Sequence, residues 1–297
     1  MDRTRERQLG ALGLCALSVP AVLFLPRGGW TAALTVTAVS MLMAVFGRSV
    51  GVREVSKWDR LLSMPLFLWN IMIIGKLAWE LSSVHGVDSP LPGLLLLLLS
   101  GYAVKKEVVS VVGAVLVFLL GGIYGIVYLC AIPVMDLREL TPQLGETATL
   151  AYGFLPLLLL YMYRGRKRER IPWALAGIAL VLGAAIITGA MGAKDFYTAA
   201  KSVNLFGTME RWEPLVGVAV TAGGFCLLSM LFSVNKNIWE SVWERKKNFP
   251  SEILVCICVG LILTVGKKPG LFWALGTTVC WGLFPILTQF VVYKKKV

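Results

Sequence analysis

Long apolar runs follow one another along almost the whole chain, and short polar or charged segments separate them. An α-helix rises about 1.5 Å per residue, so about 20 apolar residues cross the hydrocarbon core of a bilayer. Runs near this length predict ten transmembrane spans, at 8–26, 29–47, 60–84, 89–104, 108–133, 146–163, 171–191, 212–234, 251–266 and 269–292. The predicted fold class is an all-α polytopic membrane protein.

The composition agrees with this pattern. Of the 297 residues, 57% are hydrophobic and 15% are charged, and the mean hydropathy is +0.74. Such a chain is too apolar for a soluble domain of this length. We therefore expect one integral membrane domain over 1–297. An enzyme is not expected, because no span groups a nucleophile, a base and an orienting residue.

Basic residues indicate how the spans are oriented. Most of the 29 lysines and arginines fall before span one, after span ten, or in every second connection between spans. The positive-inside rule then predicts that both termini are cytoplasmic. This topology and contact with anionic lipids account for the net charge of +12. Nucleic acid is not an expected partner.

Cysteines and glycines are interpreted as packing residues. All six cysteines lie within apolar runs, which is typical of small buried hydrophobic residues and implies no disulfide framework. The chain has one histidine, so neither a metal site nor a cofactor is expected. Gly121 and Gly125 in span five, and the pair Gly223-Gly224 in span eight, predict close approach of neighbouring helices.

The ten spans divide into two halves of five, 1–145 and 146–297, whose orientations are necessarily opposite. Span one is interrupted at Ser18-Val19-Pro20, and span six is interrupted at Gly153 and Pro156. A proline inside a helix removes one backbone hydrogen bond, and such breaks at membrane depth usually line a cavity. The pattern predicts a five-plus-five inverted repeat with broken helices one and six. The alternative is that these prolines are ordinary kinks.

The two predicted breaks define a candidate ligand site. The N-terminus of a half-helix carries partial positive charge and unpaired N–H groups, which suit an anionic group such as a carboxylate. The candidate ligand-binding residues are Ser18, Val19, Pro20, Ala21, Tyr152, Gly153 and Phe154. The alternative is that these residues only kink and pack.

Span three contains a charged pair within an apolar run. Lys76 and Glu80 are one helical turn apart, with Trp69 on the same face. A lysine in hydrocarbon is costly, so the pair is a functional-site hypothesis. The alternative is that Lys76 extends to the membrane interface and pairs with Glu80 there. Asn70 is expected to bond a neighbouring helix, and Trp273 is expected to anchor span ten at an interface.

Four ordered segments resemble one known family, the B-subunit permeases of bacterial spore-germination receptors, in the amino acid, polyamine and organocation transporter superfamily. They are RERQLGALGLCALSVPAVLFLPRGGW in span one, GYAVKKEVVSVVGAVLVF between spans four and five, MDLRELTPQLG before span six and MERWEPLVGVAV opening span eight. The resemblance implies a LeuT-like fold in a bacterial inner membrane of the cell or the spore.

The same resemblance implies a function. It predicts a nutrient-sensing receptor subunit that binds an amino-acid-like ligand at the membrane midplane and works with partner subunits. It also suggests that Thr221, Ser229 and Ser233 of span eight offer hydroxyl groups to a coupling cation, although such hydroxyls commonly bond their own helix. Two alternatives are a secondary amino-acid transporter coupled to protons or cations, and a scaffold subunit that binds no ligand.

Overall fold

The computed structural model describes residues 3–24, 57–84, 89–139, 171–193, 196–201, 213–242, 254–255, 257–258 and 270–283. Within these residues every regular element is helical. The longer elements are α1 (Arg3–Val19), α2 (Lys57–Val84), α3 (Leu91–Lys105), α4 (Val109–Ala131), α5 (Ile171–Ala190), α6 (Phe196–Lys201), α7 (Glu213–Val242) and α8 (Gly270–Thr277). Two π-helical segments continue α1 and α8 directly, π1 (Pro20–Phe24) and π2 (Thr278–Leu283). Two short 3-10 turns, Ile132–Val134 and Leu137–Glu139, follow α4.

The all-helical class predicted from the sequence is confirmed. In the described part of the chain, three helices are long and apolar enough to cross a membrane, at Ser63–Val84, Val109–Val134 and Pro214–Glu240. Spans two and six, together with most of span nine, lie outside the described residues. The ten-span inverted repeat and its two halves therefore remain predictions.

Helix α7 is the central element of the described residues, since it contacts α1, α2, α3, α4 and α6. The glycine pair Gly223-Gly224 lets α7 approach α1 and α2 closely. A Cβ atom at Gly223 would lie 2.6 Å from Ser18 Oγ and 2.8 Å from Val19 Cγ2, and one at Gly224 would lie 2.7 Å from Leu81 Cδ1. The sequence prediction that these glycines serve helix packing is confirmed.

The glycines of α4 behave differently from the prediction. Nothing lies within 4 Å of the Cβ position of Gly121 or Gly125. The prediction that they bring helices together is wrong for the described residues, because no described helix fills the space beside them. They border a partly open cavity between α1, α4 and α5 instead.

The interruption of span one is also different from a break. The chain stays helical through Ser18 and changes from α to π hydrogen bonding at Pro20. Proline has no N–H to donate and its ring crowds the carbonyl four residues back. The wider π turn accommodates this defect without unwinding the helix. The residues on both sides of the change, Val19 and Ala21, are fully buried.

Two contacts show which helix ends lie next to each other. Lys236 Nζ of α7 lies 2.8 Å from Glu107 Oε1 in the turn between α3 and α4. At the other end of α4, the Asp136 N–H donates to the Ala190 carbonyl at the end of α5, at 3.1 Å. The sides of the membrane on which these two ends lie remain a prediction from the basic residues.

Candidate functional site

A cavity of about 390 Å³ lies between α1, α4 and α5. Its lining residues are Leu14, Cys15 and Ser18 of α1, Val117, Leu120, Gly121, Tyr124, Gly125 and Tyr128 of α4, and Ala179, Leu180 and Gly183 of α5. Its volume falls within the range of roughly 300–1,000 Å³ that is typical of small-molecule sites. It is therefore a candidate ligand site among the described residues.

The cavity exists because glycines stand where larger side chains would fill it. The Cβ positions of Gly121 and Gly125 are open. On the opposite wall, a Cβ atom at Gly183 would lie 3.1 Å from Cε2 of the Tyr128 ring. Gly183 therefore gives the tyrosine its room, while the α4 glycines leave the space in front of it empty.

Most polar groups around the cavity are already hydrogen bonded within the protein. The Ser18 hydroxyl donates to the Cys15 carbonyl at 2.6 Å, and the Cys15 thiol donates to the Gly113 carbonyl at 3.6 Å. The Tyr128 hydroxyl donates to the Leu180 carbonyl at 3.0 Å. These bonds use groups that would otherwise face the cavity unpaired.

Tyr124 is the exception. Tyr124 is 3% exposed, and its buried hydroxyl has no partner of good hydrogen-bond geometry among the described residues, although the Ser18 side chain interacts with it. Phe196 of α6 fixes the ring by an edge-on contact, with centroids 6.2 Å apart. A buried hydroxyl without a partner costs about 1–3 kcal/mol.

Sequence reasoning did not identify Tyr124 or Tyr128. They stand one helical turn apart, and Gly121 and Gly125 precede each of them by three positions. Two tyrosines behind two glycines in an otherwise apolar span is the signal that could have revealed a cavity with a polar wall.

The predicted ligand residues are only partly brought together. Ser18 lines the cavity. Val19, Pro20 and Ala21 are buried and are not among its lining residues. The partners proposed from span six, Tyr152, Gly153 and Phe154, lie outside the described residues.

The charged pair of span three is formed and largely enclosed. Lys76 Nζ pairs with Glu80 Oε1, and the side chains are 12% and 27% exposed. The Lys76 ammonium lies 5.6 Å from the centroid of the Trp273 ring, and Trp69 packs on the same ring at 5.7 Å. Trp69 and Lys76 therefore share one face of α2, as the spacing predicts.

Trp273 is not the interfacial anchor that the sequence suggested. It is 4% exposed, because it packs between Trp69 and Phe272. A short α8 that turns its aromatic residues onto α2 accounts for this burial. The Trp69 indole donates to Thr277 Oγ1 at 3.2 Å and holds the two elements together.

Asn70 bonds its neighbouring helices, as predicted. Its amide donates to Asn235 Oδ1 at 3.0 Å and accepts from the Trp281 indole at 2.8 Å. All three side chains are fully buried. This network links α2, α7 and π2 at membrane depth, where alternative partners for polar groups are scarce.

The hydroxyl groups of span eight are not gathered at one point. The Thr221 hydroxyl donates to the Gly217 carbonyl and the Ser233 hydroxyl donates to the Ser229 carbonyl, each at 2.8 Å. Thr221 and Ser233 are separated by about 18 Å along α7. Thr221 borders a second cavity of about 680 Å³ between α3, α4, α6 and α7. The Ser229 hydroxyl is buried and has no partner among the described residues.

No protein-family model matches the chain, and no curated protein matches it at a significant level. In the described part of the chain, no group of three or more His, Cys, Asp or Glu side chains is placed to hold a metal ion. The cavity between α1, α4 and α5 is therefore the feature from which function is inferred.

Proposed function

We propose that this protein is the membrane-embedded nutrient-sensing subunit of a bacterial spore germinant receptor, and that the cavity between α1, α4 and α5 holds its ligand. The observation that carries this proposal is a cavity of about 390 Å³ whose described lining combines apolar residues and glycines with Ser18, Tyr124 and Tyr128. The receptor assignment rests on the resemblance of four sequence segments. That resemblance implies a small amino-acid-like ligand.

Signalling in this proposal begins at α1. The helix lines the cavity at Cys15 and Ser18, and π1 follows directly and packs on α5 and α6. A ligand shifts a conformational equilibrium when it binds one state more tightly than the other. A ligand on the α1 wall would favour one position of α1 relative to α5, and the π turn at Pro20 is where the helix can adjust.

Lys76 supplies a fixed positive charge in the proposed receptor. A sensor that performs no net transport does not need a mobile coupling ion, and an enclosed ammonium can take that ion's place. Glu80 and the Trp273 ring stabilise this charge by an ion pair and a cation–π contact. The pair would thus hold α2 against α8 while α1 moves.

The proposed setting is an inner membrane of the cell or the spore, crossed several times, with both termini cytoplasmic. The end of the molecule that carries Lys105, Lys106 and Lys236 would then face the anionic cytoplasmic leaflet. Each basic residue near such a surface contributes about 1 kcal/mol of attraction. Partner subunits would receive the conformational signal.

A secondary amino-acid transporter is the second candidate. The observation in its favour is the buried Ser229 hydroxyl of α7, which has no hydrogen-bond partner among the described residues. Such an oxygen is one ligand that a coupling cation requires. Uptake of a nutrient into proteoliposomes that contain only this chain would identify a transporter.

Filling the cavity tests the sensing function. Gly125→Leu places a side chain in the cavity, whereas Gly122→Leu is a matched control, since its Cβ position is equally open but it does not line the cavity. We expect spores with Gly125→Leu to lose germination in a nutrient mixture, and spores with Gly122→Leu to germinate normally at equal protein level. Normal germination of both would contradict the proposal.

A scaffold gives a different result in the same strains. If the protein only holds its partners, both glycine variants germinate normally. Deletion of the chain would then remove the partner subunits from the membrane. A co-transcribed membrane subunit with a soluble domain and a co-transcribed lipoprotein would support a receptor complex.

A further inference from the structure

The second cavity, of about 680 Å³, is an open groove that follows one face of α7, and we call it the α7 groove. Leu96 and Leu99 of α3 and Leu116 of α4 contribute to its lining. The Thr221 hydroxyl donates to the Gly217 carbonyl at 2.8 Å, so its donor is satisfied within α7. The α7 residues of the lining recur in steps of three and four, which places them on one side of the helix. They are Pro214, Gly217, Val218, Thr221, Ala222 and Phe225.

The groove opens on an apolar outer surface. Leu99 and Val218 line it and are 56% and 55% exposed. Leu95 and Leu98 of α3 are exposed to a similar extent. Because α7 contains a segment long and apolar enough to cross a membrane, Pro214–Glu240, the apolar surface beside it would meet lipid chains.

The length of the groove matches one leaflet of a bilayer. From Pro214 to Phe225 the groove extends about 16 Å along α7, at about 1.5 Å per residue. The hydrocarbon core of a bilayer is about 30 Å thick, so one leaflet contributes about 15 Å. Pro214 is the first residue of the apolar segment. The groove therefore begins at one end of the span and runs toward its middle.

We propose that the α7 groove binds one acyl chain of a membrane phospholipid from the leaflet at the Pro214 end, with the terminal methyl group near Phe225. An acyl chain is apolar and linear, and it runs across its leaflet in the direction that the groove follows. An empty groove would forfeit dispersion contacts along its walls, which a chain between α3 and α7 restores. This proposal goes beyond the receptor function and does not depend on it.

The test uses the full chain in phosphatidylcholine vesicles that contain a small fraction of a photoreactive phosphatidylcholine. Two probes carry a diazirine in one acyl chain, either at the terminal methyl end or next to the ester. Labelled residues are mapped by peptide mass spectrometry. We expect the terminal probe to label 222–225 and the ester-proximal probe to label 214–218. The reverse order, or equal labelling of both segments by both probes, would overturn the proposed orientation of the chain.

Variants distinguish a chain in the groove from lipid that merely surrounds the protein. Ala222→Leu adds a side chain within the groove, and Val218→Trp blocks its mouth from an exposed position that can accept a larger residue. Gly122→Leu is the control, since its Cβ position is open and it does not line the groove. We expect labelling of Phe225 to be lost in both blocking variants and retained in the control. Labelling of Phe118, which is 82% exposed, should persist in every variant.

Three results would overturn the phospholipid site. Undiminished labelling of Phe225 in both blocking variants would show that ordinary surrounding lipid reaches it. Labelling of the groove by a diazirine fatty acid, with none by either phospholipid probe, would identify a free fatty acid as the occupant. No labelling of 214–225 by any lipid probe would show that protein covers the groove.

Discussion

At the scale of single residues, Lys76 shows how burial changes the meaning of an ion pair. An exposed pair is worth about 0–1 kcal/mol, whereas removing one partner from a fully buried pair costs about 3–5 kcal/mol. Lys76 and Glu80 are 12% and 27% exposed and sit against an indole ring. Their contribution should fall between these two limits.

Lys76→Met should therefore lower the thermal stability of the purified protein and abolish the ligand response, because the Lys76–Glu80 ion pair and the contact of the ammonium with Trp273 are lost. Glu80→Gln in the same chain should restore part of the stability, since contacting residues are coupled in a double-mutant cycle. Lys106→Met, at an exposed position, is the control and should change little. If Lys76→Met changes neither the melting temperature nor the ligand response, Lys76 has no role in function or stability.

Residue type alone did not reveal how each position is used. Asn70 was assigned correctly because an amide at membrane depth must find a partner. Tyr124 was missed because tyrosine counts as apolar in a hydrophobic run, and only the fold shows that its hydroxyl has no partner. Trp273 was assigned to an interface because of its position near a span end, but Trp69 and Phe272 cover it.

At the scale of elements, the interface between α1 and α7 depends on Gly223. A Cβ atom there would meet Ser18 Oγ at 2.6 Å and Val19 Cγ2 at 2.8 Å, and both atoms belong to buried residues. Helix α1 would therefore have to shift away from α7 to make room for a larger side chain at this position. Gly122 in α4 is the contrasting case, since its Cβ position is open.

Gly223→Ala should destabilise the protein by about 1–3 kcal/mol through overpacking. Gly122→Ala should be neutral or stabilise it by up to about 1 kcal/mol, because alanine is the better helix former. Thermal unfolding of both variants in detergent measures the difference. Equal effects of the two substitutions would mean that α1 and α7 are not in the contact described.

The sequence distinguishes poorly between glycines that pack and glycines that leave space. Gly121, Gly125 and Gly223 occur in similar apolar surroundings, and what decides their role is the element that lies opposite each one. The effect of Pro20 on the backbone is equally hard to predict from the sequence. A proline predicts a defect in helical hydrogen bonding, but whether the chain unwinds or adopts a π turn depends on the packing around it.

At the scale of the whole molecule, hydrophobic runs and basic residues predicted more than single sites did. The helical class follows from the length of the apolar runs and is found in the described residues, whereas the orientation that the basic residues indicate stays a prediction. The described helices also group around α7, which no one-dimensional pattern indicated. The hydrophobic periodicity of a sequence shows which segments are helical. It does not show which helices distant in sequence pack together, because that depends on how their surfaces fit.

The predicted topology places Lys106 and Arg138, at opposite ends of α4, on opposite sides of the membrane. In a background without native cysteines, Arg138→Cys should react with a membrane-impermeant maleimide in intact cells. Lys106→Cys should react only after permeabilisation, because its segment is predicted to be cytoplasmic. Equal labelling of both before permeabilisation would contradict a single crossing by α4.

The central claim is that the cavity between α1, α4 and α5 holds the ligand. Photoaffinity labelling with an amino-acid analogue that carries a diazirine, followed by peptide mass spectrometry, tests it most directly. The account predicts labelled residues within 14–18 and 117–128, with the signal lost in Gly125→Leu and retained in Gly122→Leu. Labelling that avoids both segments, or that persists unchanged in Gly125→Leu, would contradict it.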